Sequence, residues 1–175
     1  MNSNNLEKQK EKILNSFKKN NFKEVISEGK KLLIERQNDA QLIYALGLSS
    51  INLQDFVEAE NFFKKLISLN KNAEHLYTLG NIQKKLKKFE DAIVSFEEAI
   101  KLNQNFSEAY NNLGSTLKSL GKHEEAIINY KKAIKAKENN LEANYNLASL
   151  YFYLEDYIEA SNYYKNLINI DSKHE

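Results

Sequence analysis

The sequence predicts an all-α solenoid of five stacked helix-turn-helix repeats, and three observations predict it. The first is a set of marks that returns along the chain: Leu76, Leu79, Gly80, Ala92, Phe96 and Ala99 are followed in register by Tyr110, Leu113, Gly114, Ala126, Tyr130 and Ala133, then by Asn144, Leu147, Ala148, Ala160, Tyr164 and Leu167. The second is the period, since Gly80 to Gly114, Ala92 to Ala126 and Ala126 to Ala160 each span 34 residues. A self-similarity this long marks stacked supersecondary units. The third is that each period holds two apolar runs at helical spacing, with small residues on one set against small residues on the other.

Residues 6–39 read as a degenerate first repeat. Leu6, Ile13, Leu14 and Phe17 give one stripe, and Phe22, Val25, Leu32 and Leu33 give another. Ile13 stands where later repeats carry Gly or Ala, and Gly29 stands where they carry Phe or Tyr. Gln9 and Lys12 occupy positions that are mostly apolar later, as expected of a terminal repeat with one face in water.

The second repeat, 40–72, shows Ile43, Leu46, Gly47, Leu53, Phe56, Ala59, Phe63 and Leu66. Ala59 to Ala92 is 33 residues, so the connection near Asn70 to Ala73 is one position shorter. Asp55 can accept from the free N–H groups of a following first turn, and Glu58 three residues on completes a capping-box pattern. Repeats 73–106 and 107–140 follow, and Gly121 suits the left-handed residue that ends a helix. The last repeat, 141–174, carries Asp156 and Glu159 in the arrangement of Asp55 and Glu58. Its final helix, from about Tyr157 to Ile170, is expected to leave an apolar strip whose candidates are Tyr163, Leu167, Ile168 and Ile170, some of them facing the repeat's own first helix. A strip of that kind implies self-association through the C-terminal helix or further protein beyond Glu175.

Leu76-x2-Leu79-Gly80, Tyr110-x2-Leu113-Gly114, Ala92-x3-Phe96 and Ala126-x3-Tyr130 resemble the signature of the tetratricopeptide repeat (TPR) family. The resemblance covers four repeats in register. It implies a right-handed superhelix of helical hairpins, a single domain over 1–175, and a role in binding protein or peptide partners. The Trp of the family pattern is replaced throughout. Lys71, Gln104, Glu138 and Ser172 stand where its closing Pro would fall.

Composition narrows the function. Formal net charge is +1, from 25 basic and 24 acidic residues, so no large field of one sign favours nucleic acid or a membrane surface. There is no Cys, which excludes disulfides and thiolate chemistry. The polar N-terminus and the absence of a long apolar run predict a soluble, cytoplasmic protein. His75, His123 and His174 lie far apart, without partners at ligand spacing, so no metal is expected. Glu97-Glu98 and Glu124-Glu125 read as solvated helix surface. No phosphate loop or nucleophile motif is visible, and neither a cofactor nor an enzyme is expected within these residues.

What remains is the face that the first helix of each TPR-like repeat turns towards the inside of the solenoid. Its fifth position reads Tyr44, Tyr77, Asn111 and Tyr145, and its sixth reads Ala45, Thr78, Asn112 and Asn146. Its ninth reads Leu48, Asn81, Ser115 and Ser149. A side-chain amide both donates and accepts, so it can hold a peptide backbone without reading sequence. Asn112 and Asn146 resemble the asparagine ladder in the superhelical TPR domain of O-linked N-acetylglucosamine transferase. The candidate peptide-binding residues are therefore Tyr44, Tyr77, Thr78, Asn81, Asn111, Asn112, Ser115, Tyr145, Asn146 and Ser149.

The carboxylate clamp of the family needs Lys or Arg at the second and sixth positions. The second position here reads Gln41, Glu74, Glu108 and Glu142, which would repel a carboxylate; the row reads first as solvated helix ends and second as a sign of a partner of mixed or basic charge. Two functions stay open: a non-catalytic interaction scaffold with a peptide groove, and the N-terminal substrate-recognition domain of a larger glycosyl- or sulfotransferase.

Overall fold

The computed structural model describes residues 3–171, and of Ser3, Asn169, Ile170 and Asp171 the backbone alone. Ten helices make up the described residues: α1 Ser3–Lys18, α2 Phe22–Glu35, α3 Ala40–Asn52, α4 Phe56–Leu69, α5 Ala73–Lys85, α6 Phe89–Leu102, α7 Ser107–Ser119, α8 His123–Ala136, α9 Leu141–Tyr153 and α10 Tyr157–Asp171. The class is the all-α solenoid that the period predicts. Helices α1–α5 form one compact unit and α6–α10 a second, with the division after Lys88. None of these helices is long and apolar enough to cross a membrane.

Each turn from an odd-numbered helix to the next one follows one recipe. A residue in the left-handed region closes the first helix, and it is Gly only once. Asn20, Gln54, Lys87 and Glu155 have φ of 60°, 61°, 59° and 63°, while Gly121 has 74°. The strain at the four non-glycine sites is offset by backbone bonds across the turn, as where the Asp55 N–H donates to Ser50 O at 2.9 Å and the Asp156 N–H to Tyr151 O at 3.0 Å. Asp55 and Asp156 cap α4 and α10 as the sequence predicts, accepting from the Glu58 and Glu159 N–H groups at 3.1 and 3.2 Å.

The connections between hairpins lack the family's Pro, and at three of the four a side chain caps the next helix. Asp39 accepts from the Leu42 N–H at 3.0 Å, Asn72 from the His75 N–H at 2.8 Å, and Asn140 from the Ala143 N–H at 2.9 Å. The buried Asn140 also donates to Ser107 Oγ at 2.7 Å, and Ser107 Oγ donates to Ala133 O at 2.8 Å. The turn into α9 is thus tied to both helices of the preceding hairpin. Ser172, in the last register of that missing Pro, lies outside the described residues.

In the first unit the core is built from Ile13, Val25, Leu32, Leu42, Ile43, Leu46, Phe63 and Leu66 together with Ile82. Phe63 lies on Gly47, where a Cβ would come within 2.9 Å of its ring. The first hairpin inverts the volumes: Ile13 is buried where later repeats have a small residue, and a Cβ on Gly29 would meet Leu46 Cδ2 at 2.8 Å. Leu46 of α3 therefore occupies the space that an aromatic fills in the later hairpins. The outer end of this hairpin is polar, with Arg36 bridging Glu7 at 2.7 Å and Asp39 at 3.2 Å, and Lys10 pairing with Asp39 at 2.9 Å. Gln9 and Lys12 are exposed, as a terminal repeat requires.

In the second unit Tyr130 is 1% exposed and lies against Gly114. A Cβ on Gly114 would stand 2.8 Å from Tyr130 Cε1 and 3.1 Å from the backbone oxygen of Ala126. The Tyr130 ring thus covers the glycine of its own hairpin. Among the candidates for the uncovered strip, Tyr163 is one that faces its own hairpin, stacking on Tyr151 of α9 at 5.9 Å and 14°. The side chain of Ile170 lies outside the described residues.

Because neither Tyr130 nor the Ala126 backbone can move aside, Gly114→Ala is expected to lower the unfolding free energy by about 1–3 kcal/mol. That loss appears despite the roughly 1 kcal/mol that Ala adds over Gly inside a helix. A urea midpoint equal to or above that of the parent would refute the contact.

A second expectation concerns acid. Glu60 of α4 is 3% exposed, and Lys64 and Lys88 hold its two oxygens at 2.8 and 2.6 Å. Burial pushes its carboxyl up, but pairing with the two lysines outweighs burial and holds it below the ordinary 4.5. A depressed folded-state value contributes stability above the unfolded value, and the contribution is lost as pH falls through the folded one. Between about pH 5 and pH 3 the parent should therefore lose more stability than Glu60→Gln. Parallel acid dependence of the two melting curves would remove Glu60 from the explanation.

Candidate functional site

The candidate residues lie on the odd-numbered helices, and each unit presents its own set. In the first unit Tyr44 of α3 is 41% exposed, with its ring edge-on to Phe63 at 6.2 Å and 5.9 Å from the His75 ring. His75 is held by the loop before α5, its Nδ1 lying 3.1 Å from Asn70 O. This histidine is part of an aromatic cluster that fixes the Tyr44 ring. Tyr77, Thr78 and Asn81 of α5 are half-buried, and the Thr78 hydroxyl donates to Glu74 O at 2.9 Å, leaving its oxygen as an acceptor.

In the second unit α7 and α9 lie side by side. Asn146 Nδ2 donates to Asn111 Oδ1 at 3.0 Å, a bond between successive hairpins. Asn111 departs from the expected exposed amide stripe, because it is only 1% exposed and its carbonyl oxygen is already used. The fifth position carries a ring that reaches outward in Tyr145, which is 57% exposed, whereas the short amide of Asn111 stays under α9. Asn112 and Asn146 remain half-buried at the sixth position.

The two ninth-position serines serve the hairpins as well as the surface. Ser149 Oγ lies 3.3 Å from the Tyr164 hydroxyl. Ser115 shares a hydrogen bond with the Tyr130 hydroxyl, which lowers that group's value, but burial dominates and pushes it up to about 12. Tyr130 therefore stays neutral at every ordinary pH and acts as a structural hydroxyl. The sequence carries a signal for this pairing that a position-by-position reading misses. Leu48 and Asn81 go with Phe63 and Phe96, and Ser115 and Ser149 go with Tyr130 and Tyr164.

Charge around the second unit is largely settled internally. Lys137 donates to Glu108 at 3.3 Å, Lys132 sits 5.8 Å above the Tyr110 ring, and Lys131 sits 5.6 Å above Tyr151. A hydrogen bond to Tyr151 raises the Lys131 ammonium above its ordinary value, so it stays charged. One pocket escaped the sequence reading. Leu141, Glu142 and Tyr145 of α9 line it together with Leu167 and Ile168 of α10. Among the described residues no three His, Cys, Asp or Glu side chains gather as metal ligands. His174 lies outside the described residues.

A tetratricopeptide repeat family model matches residues 73–106, and a second model of that repeat matches 40–72, 107–140 and 141–174. Among solved structures, the fold is similar to a crystal structure of MamA at 27% identity, covering 91% of this chain and 94% of that one with a TM-score of 0.86. It is similar to MamA 41-end from Desulfovibrio magneticus RS-1 at 18% identity, covering 96% of each chain with a TM-score of 0.88. It also resembles YrrB, described as a TPR protein with an unusual peptide-binding site, at 23% identity, 93% and 84% coverage and a TM-score of 0.78. No curated protein matches the sequence.

Proposed function

Because the chain belongs to the tetratricopeptide repeat family, we propose that it is a non-catalytic interaction scaffold that binds an extended peptide segment along the faces of its odd-numbered helices. The observation that carries this reading is the amide pair on α7 and α9. Asn146 is fixed by donating to the buried Asn111 at 3.0 Å, which leaves its own carbonyl oxygen to accept from a peptide N–H. Asn112 lies one position from Asn111 on the same helix, and the exposed ring of Tyr145 borders the stripe. Preordered amides beside an open aromatic favour backbone recognition with little ordering cost.

The same logic applies in the first unit to Tyr44, Tyr77, Thr78 and Asn81. A partner held by backbone contacts is a protein or peptide, and the near-neutral charge gives nucleic acid or anionic lipid no field to follow. The reading as the recognition part of a larger transferase draws on no residue of this structure and on none of the matches.

Asn112→Ala combined with Asn146→Ala is expected to weaken binding of a peptide selected on the parent protein by about tenfold, two lost hydrogen bonds at roughly 0.5–1.5 kcal/mol each. Circular dichroism should be unchanged, and isothermal titration calorimetry gives the affinity. An affinity indifferent to both changes would reject the stripe.

Self-association is a second reading, favoured by one observation on α10. Tyr157 is 57% and Ile158 77% exposed, and Phe152 of α9, itself 59% exposed, contacts the Tyr157 ring at 5.5 Å. This apolar cluster lies at the start of α10, in addition to the expected strip, of which Ile168 is itself 69% exposed. Light scattering over a range of concentrations should show association in the parent and its loss in Ile158→Lys. A parent that is monomeric throughout would reject the reading.

A further inference from the structure

The pocket of Leu141, Glu142, Tyr145, Leu167 and Ile168 combines an aliphatic floor, a fixed aromatic ring and a lone carboxylate. Leu141 is 46% and Ile168 69% exposed, so the floor is open to solvent. Tyr145 packs edge-on against Tyr164 at 6.3 Å, which holds its ring while 57% of the residue stays exposed. Glu142 is exposed and has no ion-pair partner among the described residues.

The preceding hairpin shows how the same register is filled from within. Glu108, which corresponds to Glu142, accepts from Lys137 at 3.3 Å. Two further lysines of α8 already sit over tyrosine rings of this unit, Lys131 over Tyr151 and Lys132 over Tyr110. In the last repeat the residue in the register of Lys137 is Asp171, an acid. Among the described residues, the carboxylate of Glu142 therefore lacks the cation that Glu108 takes from Lys137.

We propose that this pocket takes a lysine or arginine side chain from the peptide bound along α7 and α9; the inference rests on the peptide-binding reading of that face. The aliphatic stem of such a side chain covers Leu141, Leu167 and Ile168, and its charged head lies between the Glu142 carboxylate and the Tyr145 ring. An exposed ion pair alone contributes little. Here the stem removes apolar surface from water and the ring adds a cation–π contact, so three modest effects act on one side chain. An acidic residue at this point meets Glu142 with like charge, which makes the pocket discriminate by sign.

The test uses the full chain, labelled with 15N, and three nonapeptides of alternating Ala and Ser whose central residue is Lys, norleucine or Glu. The Lys peptide should shift the amide signals of Glu142 and Tyr145 and bind about tenfold more tightly than the Glu peptide. That preference should shrink between about 0.05 and 0.5 M salt as screening grows. Glu142→Gln should bring the Lys peptide to the level of norleucine, and Glu142→Lys should invert the order of Lys and Glu. Equal affinities for the three peptides, with shifts at Asn112 and Asn146, would overturn the cation pocket and leave peptide binding standing. A Lys preference that survives Glu142→Lys would overturn the assignment to this pocket. Shifts nowhere on α7 or α9 with any of the peptides would overturn both.

Discussion

An aromatic ring resting on a glycine is the contact on which the second and fourth hairpins depend. Tyr130 on Gly114 and Phe63 on Gly47 are arranged so that no Cβ could be added without meeting the ring at under 3 Å. The missing side chain lets the second helix come close, and the buried ring fills the space that would otherwise be empty, so the two residues act as one packing element. The first hairpin shows that volume and not identity is constrained. Its large residue, Ile13, and its small one, Gly29, have exchanged places, and Leu46 of α3 supplies the bulk. That exchange makes the hairpin dependent on its neighbour, since a hairpin of this kind cannot bury its apolar face alone.

The ring also decides which polar residues are available to a ligand. Where it is Phe, as at position 63, the ninth position of the repeat can be apolar, as in Leu48. Where it is Tyr, its hydroxyl needs a partner in a buried setting, and Ser149 lies 3.3 Å from the Tyr164 hydroxyl. Serines that look like surface recognition groups are thus partly committed to the hairpin. The amides divide in the same way. Asn111 is spent on joining α7 to α9, and through that bond it orients Asn146.

The period, the hairpins and the caps at Asp55, Asp156 and Gly121 were legible because each is a local chemical signal. The remaining left-handed turns were not. Gln54, Lys87 and Glu155 give no propensity for φ near +60°, which the backbone bonds of the turn impose on them, while Asn20 alone of the four is of a type that favours it. Of the connections that lack the family's Pro, three are closed by the caps of Asp39, Asn72 and Asn140, and the Asn140–Ser107 bond joins residues 33 apart that no local window relates. At the candidate site the residue types were legible but their exposure was not. Whether a fifth-position side chain lies open or covered depends on its length and on the next hairpin, which separates Tyr145 from Asn111.

The glutamates at the second position show how far such a stripe can be read as a binding signal. Glu74, Glu108 and Glu142 all lie in the first turn of α5, α7 and α9, where a carboxylate is favoured by the helix dipole with no ligand present. Their recurrence therefore follows from helix termini and carries no message about a partner. What separates them is their surroundings. Glu108 is neutralised by Lys137, and Glu74 stands beside half-buried neighbours in Tyr77 and Thr78. Glu142 alone among the three combines the lack of a counter-ion among the described residues with an exposed ring packed on Tyr164 and an aliphatic floor. In a chain of net charge +1, selectivity for a partner's charge arises from local groupings of this kind and not from the field of the whole molecule.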